Sequence, residues 1–104
     1  MSDAAWHDVA ADWQISAGNS IPVRIGEQEL VLCNASGTLH ALKNHCTHMG
    51  APLDGGRITD TGIIVCPFHK ARFNLVDGTA VSGKYETIPT YPVKVENGRV
   101  LIQA

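Results

Sequence analysis

Apolar positions gather along this chain in short runs, with polar turn-forming residues between them. Ile21–Ile25, Glu29–Cys33, Thr38–Lys43, Ile63–Cys66, Arg72–Leu75, Tyr91–Glu96 and Val100–Ile102 are each rich in β-branched or aliphatic residues, the pattern of a strand. Turn formers separate them: Gly26-Glu27, Asn34-Ala35-Ser36-Gly37, Asp54-Gly55-Gly56, Asp77-Gly78 and Asn97-Gly98. Asn97-Gly98, set between Val93–Glu96 and Arg99–Ile102, is the strongest hairpin signal, because both of its residues tolerate the left-handed backbone of a tight turn. No segment keeps a 3.6-residue period over three turns, although Ala10–Ser16 has room for one helical turn. Many short strands at this spacing predict an all-β fold, an antiparallel sandwich or barrel. No repeat, low-complexity stretch or linker interrupts it, so residues 1–104 are expected to form a single domain.

Composition narrows the picture. A chain of 104 residues can bury one modest core, with no room for a second domain holding its own active site. A formal charge of −2 and the lack of a basic stripe argue against nucleic acid as a partner. No apolar run approaches a membrane span. Met1–Asp12 carries three aspartates and no Lys or Arg, unlike a secretory leader. The three cysteines are an odd number in a chain that is not Cys-dense, which fits a reducing compartment better than a disulfide framework. A cytoplasmic location is therefore expected.

Two stretches break the strand pattern. Asn44–Leu53 and Pro67–Lys70 are loops rich in Cys, His, Gly and Pro, each directly after a strand. They contain Cys46-Thr47-His48 and Cys66-Pro67-Phe68-His69, with seventeen residues between His48 and Cys66. Each arm offers one thiolate and one imidazole, donors that suit zinc, iron or copper and not magnesium or calcium. The spacing is unusual for zinc, which favours paired Cys-x₂₋₄-Cys and His-x₃₋₅-His arms, although the donor chemistry alone leaves a structural zinc open. It matches what a two-iron cluster with unlike ends requires, two cysteines on one iron and two histidines on the other. Cys33, inside Leu30-Val31-Leu32, reads as a small buried hydrophobe. His45 adjoins Cys46, and neighbours in an extended chain point to opposite sides, so it is not expected to face the same centre. His7 and His40 read as surface or partly buried strand residues.

Cys46-Thr47-His48-Met49-Gly50-Ala51-Pro52-Leu53 resembles the first box of the Rieske family, Cys-x-His-x-Gly-x-x-Leu, and Cys66-Pro67-Phe68-His69 resembles the second. Ala71-Arg72-Phe73-Asn74, the Asp77-Gly78 turn, Tyr91-Pro92-Val93 and Trp6 extend the likeness over nearly the whole chain. The resemblance implies an antiparallel β-sandwich or barrel with a small cluster-binding subdomain, and one Rieske-type [2Fe–2S] cluster on Cys46, His48, Cys66 and His69. It implies no catalytic residues but a soluble ferredoxin. Such a carrier takes single electrons from an NAD(P)H-dependent flavin reductase and passes them to a terminal oxygenase, typically one that hydroxylates aromatic rings. Both partners would dock transiently near His48 and His69, over less than about 1,200 Å², and a monomer is expected. The small Rieske-like subunit of an assimilatory nitrite reductase is the runner-up reading, and a zinc-stapled binding module without redox chemistry is a third.

Departures from the family pattern refine these expectations. High-potential members carry an extra cysteine in each box, where this chain has Ala51 and Phe68. They also carry hydroxyl donors where it has Ala71 and Phe73. Both differences imply a potential low in the range of roughly −150 to +300 mV open to His₂Cys₂ clusters. Lys70 stands where Gly is usual, and a backbone with φ > 0 there would cost it about 1 kcal/mol. Ser82–Thr87 lacks the family's Gly-Pro cover, which puts shielding of the cluster in question. From Lys43 to Arg72 four basic residues (Lys43, Arg57, Lys70, Arg72) face two acidic ones (Asp54, Asp60), which suggests an acidic partner at that end.

Overall fold

In a computed structural model the described residues are 5–46, 50–68, 70–81 and 85–104. They form ten strands in three antiparallel sheets and no α-helix, the all-β class expected. One sheet has the order β1 (Trp6–Ala11), β10 (Arg99–Gln103), β9 (Val93–Glu96); a second has β2 (Ser20–Ile25), β3 (Gln28–Ala35), β4 (Thr38–Lys43), β8 (Thr90–Tyr91). The third, β5 (Arg57–Ile58), β6 (Ile63–Val65), β7 (Arg72–Asn74), is the small subdomain from which the second Cys-containing loop projects.

Strand β3 explains how these parts adhere. Leu30, Val31, Leu32 and Cys33 are all fully buried, so both faces of the strand are covered. The alternation of side chains sends Leu30 and Leu32 into one core, with Ala10, Ile15, Ile25, Val100 and Ile102. Val31 and Cys33 enter the other, with Leu53, Ile58, Ile64, Phe73, Leu75 and Ile88. Its neighbour β4 does the same, Ala41 to the first core and Leu42 to the second. These two strands thus form a wall between a base core and a core on the loop side.

One expectation needs correction, and two strands lie outside the runs predicted. Tyr91–Glu96 is not one strand: Pro92, which has no N–H to donate, separates β8 on the second sheet from β9 on the first. Strand β1 was hidden by its polar face, where Asp8 accepts paired bonds from the Arg99 guanidinium at 2.8–3.0 Å, and by a bulge between Asp8 and Ala10. Strand β5, two residues long after Gly55-Gly56, is too short to show a pattern. The single helical turn is present as a 3₁₀ turn at Asp12–Gln14. Asn97 and Gly98 have φ of 52° and 75°, the doubly left-handed turn expected of the final hairpin.

Candidate metal centre

The two loops share one backbone plan. In the first, Cys46 N–H donates to the Ala51 carbonyl at 2.7 Å, and Gly50 N–H donates to the Cys46 carbonyl at 2.6 Å. In the second, Cys66 N–H donates to the Ala71 carbonyl at 2.8 Å, and Lys70 N–H to the Cys66 carbonyl at 2.9 Å. The fourth residue after each cysteine is left-handed, Gly50 at φ 76° and Lys70 at φ 60°. Lys70 therefore adopts the conformation that disfavours a side chain, and carries the strain expected of it.

Both cysteines are fully buried at the mouths of these loops and belong to one apolar cluster with Leu53, Ile64, Phe73 and Ile88. No cysteine is in a disulfide. Cys33 lies in the same cluster, where burial pushes its thiol up to about 12, so it stays protonated and acts as an apolar side chain. His45 is exposed while its neighbour Cys46 is buried, the opposite facing expected of them. His7 and His40 are half-buried on strands; burial lowers the pKa of His40. His48 and His69 lie outside the described residues, as do Ser82, Gly83 and Lys84 of the Ser82–Thr87 stretch.

Other residues shape the centre without being evident in the sequence. The Asn44 side chain bridges the base of the first loop. Its Oδ1 accepts from the N–H groups of Leu53 (2.5 Å) and Asp54 (3.1 Å), and its Nδ2 donates to the Asp54 carboxylate (2.8 Å). Tyr85 packs on the loop-side core with its ring centroid 6.2 Å from that of Phe73. Ile88 is pinned there by its N–H bond to the Gly78 carbonyl, 2.9 Å long. A Cβ on Gly78 would run into the Ile88 backbone, so glycine is required at that crossing.

A family model of the Rieske [2Fe–2S] domain matches residues 5–92. The chain belongs to the Rieske family. It is 36% identical over 98 residues to the ferredoxin component of a naphthalene 1,2-dioxygenase system of Pseudomonas aeruginosa, covering 93% of each chain. It is 31% identical over 102 residues to the ferredoxin component of the alkene monooxygenase system of Xanthobacter autotrophicus, covering 98% of this chain and 84% of that one. Among solved structures, a chain from a complex of reduced oxygenase and oxidized ferredoxin in carbazole 1,9a-dioxygenase matches with a TM-score of 0.86 and 27% identity. That match covers 97% of this chain and 94% of the other.

A Rieske domain carries one [2Fe–2S] cluster, and the residues here fit it. Two buried thiols arrive from two loops of the same plan, at one apolar core, which is the donor set for one end of such a centre. No helix among the described residues is long and apolar enough to cross a membrane.

Proposed function

We propose that this protein is a soluble, low-potential Rieske ferredoxin. In this reading it carries single electrons from an NAD(P)H-dependent flavin reductase to a terminal ring-hydroxylating oxygenase and does no catalysis itself. The matched loops that bring Cys46 and Cys66, both fully buried, to one core carry the proposal. Cys46 and Cys66 would hold one iron, and His48 and His69 the other. When bound, the cluster takes up and releases one electron at a time.

The chain's own residues set the conditions for that exchange. Leu53, Ile64, Phe73 and Leu75, each exposed by 1% or less, keep water from the thiol side. Ala71 and Phe73 offer no hydroxyl hydrogen to stabilise added negative charge, which supports a potential low in the family's range. Phe68 is 64% exposed and sits one residue before His69, at the tip where a transient partner can approach. A single domain over residues 1–104, a monomeric state and a cytoplasmic location complete the proposal.

The test is spectroscopic. The purified protein should be coloured, bleach with dithionite, and give the paramagnetic resonance signal of a reduced [2Fe–2S] centre. A colourless protein holding one zinc would overturn the proposal in favour of the binding module. Firm association with a large sirohaem subunit would instead favour the nitrite reductase reading.

A further inference from the structure

The three-stranded sheet beside Cys66 is electrically polarised. Arg57 pairs with Val65, and Val65 with Arg72, so these three side chains form one row across β5, β6 and β7 on the same face. Both arginines are exposed and Val65 is half-buried between them, whereas the next row, Ile58, Ile64 and Phe73, is buried in the core. Lys70, exposed, adds a third cation from the loop. Together with Gly55, Gly56, Cys66 and Pro67 these residues line one shallow depression, and none of the described residues lining it is acidic. None of the three cations forms an ion pair among the described residues.

The three acidic residues nearest this sheet in the sequence, Asp54, Asp60 and Asp77, do not line the depression. Asp60 is in the turn at the opposite end of the β5–β6 hairpin, three residues from Arg57, or about 10 Å along an extended strand. Asp77 is in the turn after β7, at that same far end, with its carboxylate engaged by Thr79. Asp54 is bonded to Asn44 at 2.8 Å. A chain of net charge −2 therefore presents a local cluster of three positive charges at the end that borders Cys66.

We propose that this depression, lined by Arg57, Lys70 and Arg72, is a docking surface for a redox-partner protein whose electron port is ringed by carboxylates. The proposal rests on the carrier reading above. The row of cations meets the carboxylate rim, Phe68 at the tip supplies an apolar contact, and the polarised sheet turns the correct end toward the partner before contact.

Small inorganic oxidants test the sign of the local field. Dithionite-reduced holoprotein, freed of reductant, gives one electron to ferricyanide, an anion, or to a tripositive cobalt ammine, and the rate is followed by stopped flow. Raising ionic strength from about 0.01 M to about 0.2 M should slow the ferricyanide reaction about tenfold and speed the cobalt reaction. The net charge alone demands the reverse. Arg57→Gln/Arg72→Gln should remove most of the slowing. Arg24→Gln/Lys94→Gln, with the same change in net charge on other sheets, should leave it in place. Independently of electron flow, a labelled deca-glutamate peptide should bind the wild type several-fold more tightly at low salt than the Arg57/Arg72 variant. A ferricyanide rate that rises with salt, an unaltered slope in that variant, or equal peptide binding would overturn the docking surface. A protein that never bleaches fails earlier, on the carrier reading itself.

Discussion

The loops at Cys46 and Cys66 share a hydrogen-bond plan but not the means of keeping it. The first has glycine at its left-handed position and is braced at its base by Asn44. The second has a strained lysine there, and among its described residues the pairing of β6 with β7 on either side, Val65 with Arg72, holds it. The same shape is thus reached once through side-chain bonds in a loop and once through a sheet. The backbone bonds around each cysteine are what the centre demands, and the remainder is local circumstance. The second loop is also the one that borders the cations, Lys70 within it and Arg57 and Arg72 on the strands beside it.

Removing the thiols is the most severe way to break this likeness. Cys46→Ala and Cys66→Ala should each abolish the visible absorption, since two cysteines serve one iron; a variant that keeps full colour would show that the two loops are not equivalent. Asn44→Ala comes next. It deletes three hydrogen bonds from one loop only and should lower stability by about 3 kcal/mol, read from urea unfolding. A loss below about 1 kcal/mol would mean that the brace is dispensable.

Cys33 provides a thiol in the same core but on neither loop. Its folded-state pKa of about 12 lies above the ordinary value of 9.0, so the native state holds its proton where the unfolded chain releases it. Its contribution to stability is complete below pH 9.0 and is lost as pH rises from there towards about 12. The slope approaches about 1.4 kcal/mol per pH unit. Unfolding measured between these limits should show a shallower alkaline decline in Cys33→Ala. The smallest effects come from exchanging the left-handed residues. Gly50→Ala should cost about 1 kcal/mol through its backbone, because the new Cβ would meet the His45 Cε1 at an ordinary 3.4 Å. Lys70→Gly should have the opposite sign, a gain of up to about 1 kcal/mol. Equal signs would show that the two positions are not conformational counterparts.

Much of this was legible in the sequence because it depends on local rules. Short apolar-rich runs marked the strands around Val31, Leu42 and Val100, and the turn pair Asn97-Gly98 marked the hairpin. Donor chemistry singled out the two loops that hold Cys46, His48, Cys66 and His69, and the left-handed backbone expected at Lys70 is present. What escaped depends on distant parts of the chain. Asp8 sits in a strand because Arg99 meets it from the far end of the sequence. Asn44 looked like any polar loop residue, since its value lies in being opposite Leu53 and Asp54. Pro92 did carry a local signal: a residue that cannot donate to a ladder was already a reason to end one strand there and begin another.

The wall formed by β3 has a bearing on how the protein matures. Leu30 and Leu32 close the base core without any help from the loops, so one side of that wall is finished by apolar burial alone. Val31 and Cys33, on the same backbone, are then already aligned toward the side where iron and sulfide must enter. A chain emptied of its cluster would therefore be expected to keep the base core, which the circular dichroism of the metal-free protein would check.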